Sequence, residues 1–493
     1  MVAIVATAAG LFSVVTAHAQ PGLPPLSVPQ PRPLLQIPQP VSNLPAISAV
    51  PAVPNVSLPA IQQAPPVLQT PALPPSLQVP QAIPSLPQLP AQAVPPALTG
   101  DLVRLPGPAV SQLVASAVPL QQLRATAVRD LLRFYADVLE ADPTGEPVRR
   151  QELLWVSPAP AQLTAAQALG FVVLREQNLP ALNLRQVVLR PPAGVATGQA
   201  LLQLRALGAE VDADFNHVYT TSGDVAGGAF TLRKRSRAAR RVGLVDAGLE
   251  RQHVALRGAD VRLWGCEGVP HPSAHGTAVA SLLVGSDTAF SGAATGSALY
   301  AADIYCGQPA SGAAETIASA LAWMAGENVA VVNISLVGPP NRLLERVVQA
   351  MQRKGHVLVA AVGNDGPAAP PLYPAAYPGV VGVTGVSREK QVLPEAAQGP
   401  HVMFAALGAA VTVAEPGGGY TLARGTSYAA PLVAGLLAQS LTVPDPEAAS
   451  LALARLAARA TDLGAPGRDP VFGFGLVGVD GEEGRRPGAR RRH

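Results

Sequence analysis

Runs of consecutive apolar residues alternate with longer helical segments through the second half of the chain. Continuous apolar runs are typical of strands covered on both faces, and their alternation with helices indicates a parallel sheet. The pattern predicts strands at residues 242–245, 298–305, 329–336, 356–362 and 380–386. It predicts helices at residues 276–284, 313–327, 342–354, 428–441 and 446–460. The predicted fold class is therefore α/β with a parallel sheet.

A different pattern of apolar residues precedes this region. Apolar residues at helical spacing predict a helix over residues 119–142. Six shorter elements follow at residues 153–157, 159–169, 171–175, 185–189, 197–207 and 211–218. Their order, β-α-β-β-α-β, is the ferredoxin-like pattern and predicts a small α+β domain within residues 119–222.

The 52 prolines are unevenly placed and mark further boundaries. Residues 20–118 form a Pro-rich low-complexity segment, which we expect to be disordered because proline removes backbone donors. It is interpreted as a disordered tail without a specific partner, and the alternatives are a semi-rigid spacer or a ligand for proline-binding partners. Residues 223–240 are a Gly-rich, basic linker that suits proteolytic processing, and residues 479–493 are a basic disordered tail.

The first 19 residues predict an export signal. The stretch before Ala17 is apolar and uncharged, and Ala17-His18-Ala19 fits a small-residue cleavage site. The alternative is an uncleaved membrane anchor, so a membrane association is expected only if this segment is retained. We expect a secreted, periplasmic or cell-envelope protein.

Charge and cysteine content narrow the function. A formal net charge of +3 is too small to argue for nucleic-acid binding. The chain has two cysteines, Cys266 and Cys306. In an exported protein such a pair predicts a disulfide, with two free buried thiols as the alternative, and two cysteines cannot build a cysteine-based metal site.

Three polar residues stand in local sequences that suit nucleophilic catalysis. Ser427 lies between Gly425-Thr426 and an apolar helix, so its hydroxyl meets the N–H groups of a helix N-terminus. Serine needs a base, for which His275 in His-Gly-Thr is the candidate, and Asp246 follows the strand at 242–245. His271 lacks that motif and is interpreted as a loop residue.

These motifs, in the order Asp, His, Ser, resemble those of the subtilisin-like serine proteases, or subtilases. The resemblance covers about residues 241–478 and implies a peptidase domain with an Asp246–His275–Ser427 triad. It implies that Asn364, in Gly-Asn-Asp-Gly, supplies an oxyanion donor. Ala247 departs from the family, which usually has serine or threonine after the aspartate, so a hydroxyl near the carboxylate is lost.

The resemblance also implies the substrate contacts. Two segments match those that line the family's primary pocket, namely Ser335-Leu336-Val337 and Ala361-Val362-Gly363. Val337 stands for glycine and Val362 for alanine, so we expect a narrowed or reshaped pocket. The expected substrates are extended polypeptides with apolar side chains.

By the same resemblance the α+β domain is a pro-domain that inhibits the enzyme intramolecularly. Its alternative is an unrelated small domain. No cofactor is expected to be required. Structural calcium occurs in the family but cannot be placed on this sequence. The competing functions are an inactive subtilase-fold binding module at the cell surface and a serine-carboxyl protease, whose base is a glutamate; the His275 motif argues against the latter.

Overall fold

The computed structural model describes residues 120–221, 223–225, 240–287 and 291–478. The predicted signal sequence, the Pro-rich segment, the C-terminal tail and most of the basic linker lie outside these residues. No helix within the described ranges has the length and hydropathy needed to cross a membrane.

The first described region, residues 120–217, is called the antiparallel domain. Its elements are α1 (Leu120–Phe134), β1 (Leu139–Ala141), β2 (Pro147–Val156), α2 (Pro160–Ala168), β3 (Val172–Leu179), β4 (Leu184–Arg190), α3 (Thr197–Arg205) and β5 (Ala213–His217). The sheet has the order β5-β2-β4-β3 with every neighbouring pair antiparallel, and β1 also pairs with β2. The predicted β-α-β-β-α-β element order is present.

The predicted helix at 119–142 is wrong in its last third. The helix ends at Phe134, and Leu139 instead begins a hairpin in which it faces Arg149. The turn of this hairpin is closed by Asp142, whose Oδ1 accepts hydrogen bonds from the Thr144 and Glu146 N–H groups at 2.8 and 2.9 Å. The apolar spacing across 135–139 therefore serves a small core under the hairpin and does not extend the helix.

A connecting segment, residues 218–225, follows the antiparallel domain. It contains β6 (Thr220–Thr221) and β7 (Asp224–Val225). Residues 240–478 form the parallel-sheet domain. Its strands are β8 (Arg241–Asp246), β9 (Val261–Trp264), β10 (Ala298–Asp303), β11 (Val331–Ile334), β12 (Leu336–Val337), β13 (Val357–Ala361), β14 (Val381–Val386), β15 (Val402–Leu407), β16 (Val411–Ala414) and β17 (Tyr420–Arg424). Its helices are α4 (Ala274–Val284), α5 (Ala314–Gly326), α6 (Arg342–Arg353), α7 (Thr426–Ala438) and α8 (Pro446–Ala457).

Seven parallel strands form the central sheet in the order β15-β14-β13-β11-β8-β10-β9. The predicted α/β fold class is confirmed. Alternate residues of each strand enter opposite cores: Val242 and Leu244 pack with α4 and α7, whereas Val245 packs with α5 and α6. This two-sided burial explains the continuous apolar runs.

The two domains share a core. The sheet of the antiparallel domain lies on α5 and α6, where Leu154, Leu179 and Val188 join the same cluster as Ile317 and Val347. Part of this contact involves the first turns of α5 and α6, where the Glu315 and Arg342 N–H groups donate to Asn216 and Asp214. Because helices of a parallel sheet begin near the carboxyl ends of the strands, this part lies at that edge of the sheet. The connecting segment therefore leaves the antiparallel domain at this edge.

Candidate active site

Asp246 and His275 meet at the carboxyl end of β8. Asp246 ends the strand and is fully buried, and His275 lies in the first turn of α4, a helix capped by the Ser273 side chain. His275 Nδ1 lies 2.8 Å from Asp246 Oδ1, within hydrogen-bond distance. A carboxylate in this position fixes the orientation of the ring and leaves Nε2 as the nitrogen for proton transfer.

The two oxygens of the Asp246 carboxylate differ in their partners. Oδ1 also accepts the Ala247 N–H at 2.7 Å, whereas Oδ2 is buried and has no hydrogen-bond partner among the described residues. A serine or threonine at 247 carries the hydroxyl that alanine lacks. The structure thus places the departure from the family pattern directly beside the carboxylate.

Close backbone packing fixes the two elements that carry Asp246 and His275. A Cβ atom on Gly276 would overlap the carbonyl oxygen of Ala247, and one on Gly248 would overlap the carbonyl oxygen of His271. The first turn of α4 can approach the end of β8 this closely only because both positions are glycine.

Ser427 lies in the first turn of α7 and is fully buried. Its Oγ donates to the Ser335 carbonyl at 3.3 Å, and Ser335 Oγ donates back to the Ser427 carbonyl at 3.0 Å. Tyr428, the next residue, places its ring 5.5 Å from the His275 ring. Ser427 and His275 therefore belong to one site at the N-termini of α4 and α7.

Asn364 follows β13 and contacts the residue before Ser427. Its Oδ1 accepts hydrogen bonds from the Thr426 N–H and hydroxyl at 3.0 and 3.1 Å, which fixes the amide. The Asn364 Nδ2 atom then faces Gly425, where a Cβ would lie 3.0 Å from it. The same Cβ would lie 2.8 Å from the Cα atom of Gly223 in the connecting segment, so Nδ2 faces the path of this segment.

The two segments predicted to line the pocket are adjacent. A Cβ on Gly363 would lie 3.5 Å from Val337 Cγ1, and the Gly363 N–H donates to Thr426 Oγ1 at 3.2 Å. The side chains of Ala361 and Val362 point into opposite cores of the sheet. Leu336 and Val337 form β12, and they hold a peptide strand through their backbone.

That strand is the connecting segment itself. Thr221 and Thr220 pair antiparallel with Leu336 and Val337, and on the other side of position 222 Asp224 and Val225 pair antiparallel with Arg424 and Ala423. A Cβ on Gly223 would lie 2.7 Å from the ring of Tyr428. The described residues of this segment thus lie against the elements that carry Asn364, Ser427 and His275, on both sides of position 222.

A cavity of about 570 Å³ opens beside this strand. Its lining includes His275 and Ala247 on one side and Thr220 and Thr221 on the other. His271 lies in the loop before α4, as interpreted from the sequence, and it also lines the cavity. Its position four residues before His275, between Pro270 and Pro272, is the sequence signal that would have indicated this contact.

Cys266 and Cys306 are joined by a disulfide, with Cα atoms 5.2 Å apart. The bond links the loop before α4 to the loop after β10, and residues 270–273, 307 and 309 of these loops line the cavity. Within the described part of the chain, the only cluster with metal-binding residue types is these two cysteines with Asp303, and both sulfurs are in the disulfide. The calcium expectation stays a prediction without a site.

Comparisons with known proteins agree with this architecture. A family model described as the subtilase family matches residues 239–475. Subtilisin DY of Bacillus licheniformis is 32% identical over 248 residues, which cover 49% of this chain and 89% of the relative. The minor extracellular protease Epr of Bacillus subtilis (strain 168) is 32% identical over 207 residues, which cover 41% of this chain and 32% of the relative.

One solved structure resembles the fold over a longer stretch. Fervidolysin from Fervidobacterium pennivorans, described as a keratinolytic enzyme related to subtilisin, has a TM-score of 0.56 and 18% identity. The match covers 69% of this chain and 61% of fervidolysin, and it supports the fold alone.

Proposed function

Since the chain belongs to the subtilase family of serine proteases, we propose that it is a secreted endopeptidase made as a self-processing precursor. Ser427 attacks the scissile carbonyl, and His275 takes the hydroxyl proton and returns it to the leaving amine. Asp246 orients His275 and stabilises its cationic form. The contact of 2.8 Å between His275 Nδ1 and Asp246 Oδ1 supports these roles.

Asn364 and the Ser427 backbone N–H stabilise the negative charge that develops on the carbonyl oxygen. The support for Asn364 is the orientation of its amide, because Oδ1 is held by Thr426 and Nδ2 faces the strand that crosses the site. Removal of one such donor costs about 3–4 kcal/mol of transition-state stabilisation in a subtilisin, a value taken from that enzyme.

The substrates are polypeptides bound as extended strands. Leu336 and Val337 offer backbone for antiparallel pairing upstream of the cut, and residues 423–424 offer it downstream. Recognition through backbone hydrogen bonds is compatible with many sequences, and side-chain pockets then add preference.

Self-processing rests on one observation, which is the pairing of the connecting segment on both sides of position 222. The geometry favours a cut between Thr221 and Asp224, at the start of the predicted basic linker. Residues upstream of the cut then stay on β12 as part of the antiparallel domain, which acts as an intramolecular inhibitor. Val337 and Val362 do not block this strand in the precursor.

The proposal of export is supported mainly by sequence that lies outside the described residues. The first 19 residues predict a signal sequence, and one relative is named an extracellular protease. The disulfide between Cys266 and Cys306 suits an oxidising compartment. The chemistry proposed above uses only side chains and backbone groups of this chain.

The test is labelling with a fluorophosphonate probe together with the intact mass, for wild type and Ser427→Ala. We expect a labelled wild type whose N-terminus lies between Ser222 and Asp224, and an unlabelled full-length Ser427→Ala. Ser440→Ala, an exposed serine just beyond α7, is the matched control and should behave as wild type. If neither protein is labelled and their masses are identical, the chain is an inactive binding module and not an enzyme. An active species beginning near Gln20 would refute the processing step.

A further inference from the structure

His253 lies in the loop between β8 and β9, and its ring is buried, with 2% of the residue exposed. Both ring nitrogens contact backbone groups: Nδ1 accepts the Ala255 N–H at 3.1 Å, and Nε2 lies 2.7 Å from the Gly419 carbonyl oxygen. Because Nδ1 accepts, the proton of the neutral ring is on Nε2, which donates to Gly419. A histidine of the loop after Asp246 therefore holds the turn between β16 and β17.

The tip of this turn consists of three glycines. Gly417, Gly418 and Gly419 have φ values of +89°, +103° and +86°, and a Cβ atom on any of them would meet no atom of the described residues within 4 Å. The orientation of the tip therefore depends on its backbone contacts with other elements. Glu250 supplies a second contact, since its Oε2 accepts the Gly417 N–H at 2.6 Å.

The loop that carries His253 is also bound to the helix that carries His275. The Glu250 N–H donates to the hydroxyl of Thr277, a fully buried residue of α4, at 2.9 Å. At the end of β16, the Ala414 N–H donates to Ser281 Oγ of α4 at 3.0 Å. The hairpin of β16 and β17 is therefore held by α4 both directly and through this loop.

The other strand of the hairpin faces the path of a bound polypeptide. Residues 423–424 of β17 pair antiparallel with residues 224–225, which follow position 222 in the connecting segment. Tyr420 begins β17, and its ring lies 5.4 Å from the His253 ring in an edge-to-face arrangement. His253 thus contacts the turn and the first residue of the strand that offers its backbone downstream of the cut.

We propose that His253 is a positioning residue of the peptidase, which holds β17 in place relative to α4 so that polypeptide residues after the cut can pair with it. This role rests on the proposed function, and His253 itself touches neither substrate nor the reacting atoms. Loss of its contact with Gly419 frees the turn, so β17 presents its backbone less precisely. Residues before the cut bind to β12 and are unaffected.

The first test compares substrates that differ in the residues after the cut. One is the peptide of sequence 216–225, Asn-His-Val-Tyr-Thr-Thr-Ser-Gly-Asp-Val, and the other is the peptide 216–222 with a p-nitroanilide in place of residues 223–225. The enzyme is the active species obtained from the full chain. In His253→Asn the amide oxygen still accepts the Ala255 N–H, but the shorter side chain does not reach the Gly419 carbonyl. We expect kcat/KM to fall roughly fivefold for the longer peptide and less than about twofold for the anilide, because one buried hydrogen bond is lost.

His253→Gln is the conservative variant, because its longer amide reaches the Gly419 carbonyl and donates to it. We expect it to keep the wild-type ratio of the two kcat/KM values. His356→Asn is the matched control: His356 is also buried, with Nδ1 2.7 Å from the Val329 carbonyl oxygen, but it precedes β13 at the opposite end of the strand from Asn364. It should keep the ratio as well. Equal losses for both substrates in His253→Asn, no loss for either, or a His253→Gln enzyme that behaves like His253→Asn would overturn the inference.

Glu250→Ala tests the second contact of the turn. It removes the carboxylate that accepts the Gly417 N–H and keeps the backbone N–H that donates to Thr277. We expect it to lower the ratio in the same direction as His253→Asn. If His253→Asn fails to fold, Glu250→Ala decides, and an unchanged ratio there would contradict the positioning of β17 through this loop.

A readout without catalysis separates the two proposals. Amide hydrogen exchange is followed by mass spectrometry in the full-length Ser427→Ala chain, alone and with His253→Asn or His253→Gln, for fragments that contain residues 420–424 and 402–407. We expect faster exchange in β17 with His253→Asn alone, and no change in β15 with either variant. Unchanged exchange in β17 would overturn the positioning role. A wild type that no fluorophosphonate labels would refute the proposed function, while this exchange would still decide whether His253 holds β17.

Discussion

The two pairs of helices on the central sheet begin at the same edge but use their N-termini differently. The first turns of α4 and α7 carry His275 and Ser427. The first turns of α5 and α6 contact the antiparallel domain, where the Glu315 N–H donates to Asn216 Oδ1 at 3.4 Å and the Arg342 N–H donates to Asp214 Oδ2 at 3.0 Å.

Both uses draw on the same property, the exposed N–H groups at a helix N-terminus. In α4 and α7 they bind side chains next to the candidate active site, namely Ser273 and Asn364, and in α5 and α6 they bind polar side chains of a neighbouring domain. Because all four N-termini lie at one edge of the sheet, a domain docked on α5 and α6 delivers its next residues to α4 and α7. Docking of the antiparallel domain and occupation of the site by the connecting segment are therefore geometrically linked.

The largest expected effect is the loss of kcat/KM when the contact between Asp246 and His275 is changed. Asp246→Asn should lower kcat/KM by about 10⁴-fold, because the amide stabilises the wrong tautomer of His275. Hydrolysis of the peptide of sequence 216–225 measures it. Asp303→Asn, at the end of the neighbouring strand, is the control and should lose far less, since its Oδ1 accepts from the Tyr305 and Cys306 N–H groups and not from His275. Similar losses in both variants would contradict the assignment of Asp246.

A smaller effect, on stability, is expected where Arg175 of the antiparallel domain binds Glu315 of α5. Arg175 binds Glu152 and Glu315 at 2.7 and 2.6 Å, and burial raises the pKa of the Glu315 carboxyl. Arg175→Met should lower the free energy of unfolding of the Ser427→Ala chain by about 1–2 kcal/mol, a value discounted because the arginine is 46% exposed.

Urea denaturation measures this change. Arg133→Met, which removes an exposed arginine, is the control and should leave stability unchanged. The processed enzyme should keep its kcat/KM in Arg175→Met, because Arg175 lies upstream of the cut. A loss of kcat/KM in the processed Arg175→Met enzyme would mean that docking on α5 and α6 cannot be changed independently of the site at α4 and α7.

The smallest effect, on the pH dependence of stability, is expected at Asp365, which lies 3.7 Å from Arg124 of the antiparallel domain. Burial raises the pKa of Asp365 to about 6, against the opposing charge of Arg124, while Glu146 raises it further. Since the native state holds this proton more tightly, Asp365 contributes stability below about pH 4 that is lost as the pH rises to about 6. Asp365→Asn in the Ser427→Ala chain should therefore flatten the fall in urea midpoint across that window. An unchanged slope, or flattening by the exposed control Asp130→Asn, would contradict this origin.

The sequence predicted the elements whose patterns are local. Apolar runs located five strands of the central sheet, because those strands are buried on both faces. The two edge strands of this sheet, Val261–Trp264 and Val402–Leu407, were missed. In the first of them Arg262 and Leu263 are exposed, which breaks the apolar run. Motif order placed Asp246, His275 and Ser427 at strand and helix ends, and the structure brings Asp246 and His275 into contact.

What the sequence could not predict depends on pairing between distant residues. Tyr219 directly follows the predicted strand at residues 211–218, and its burial depends on the pairing of residues 220–221 with 336–337. The close approach of the Tyr219 ring to Gly338 likewise depends on this pairing. A register between strands that are distant in the sequence cannot be predicted from hydrophobic periodicity or from a local motif.

The backbone contacts of Gly248 and Gly276 have a consequence for the evolution of this chain. A library randomised at the two positions should return glycine almost alone, although neither residue has a functional group. The freedom to diversify then lies in the side chains that line the cavity. Lineages of this protein can therefore change the cavity wall far more readily than the backbone packing that holds Asp246 and His275 together.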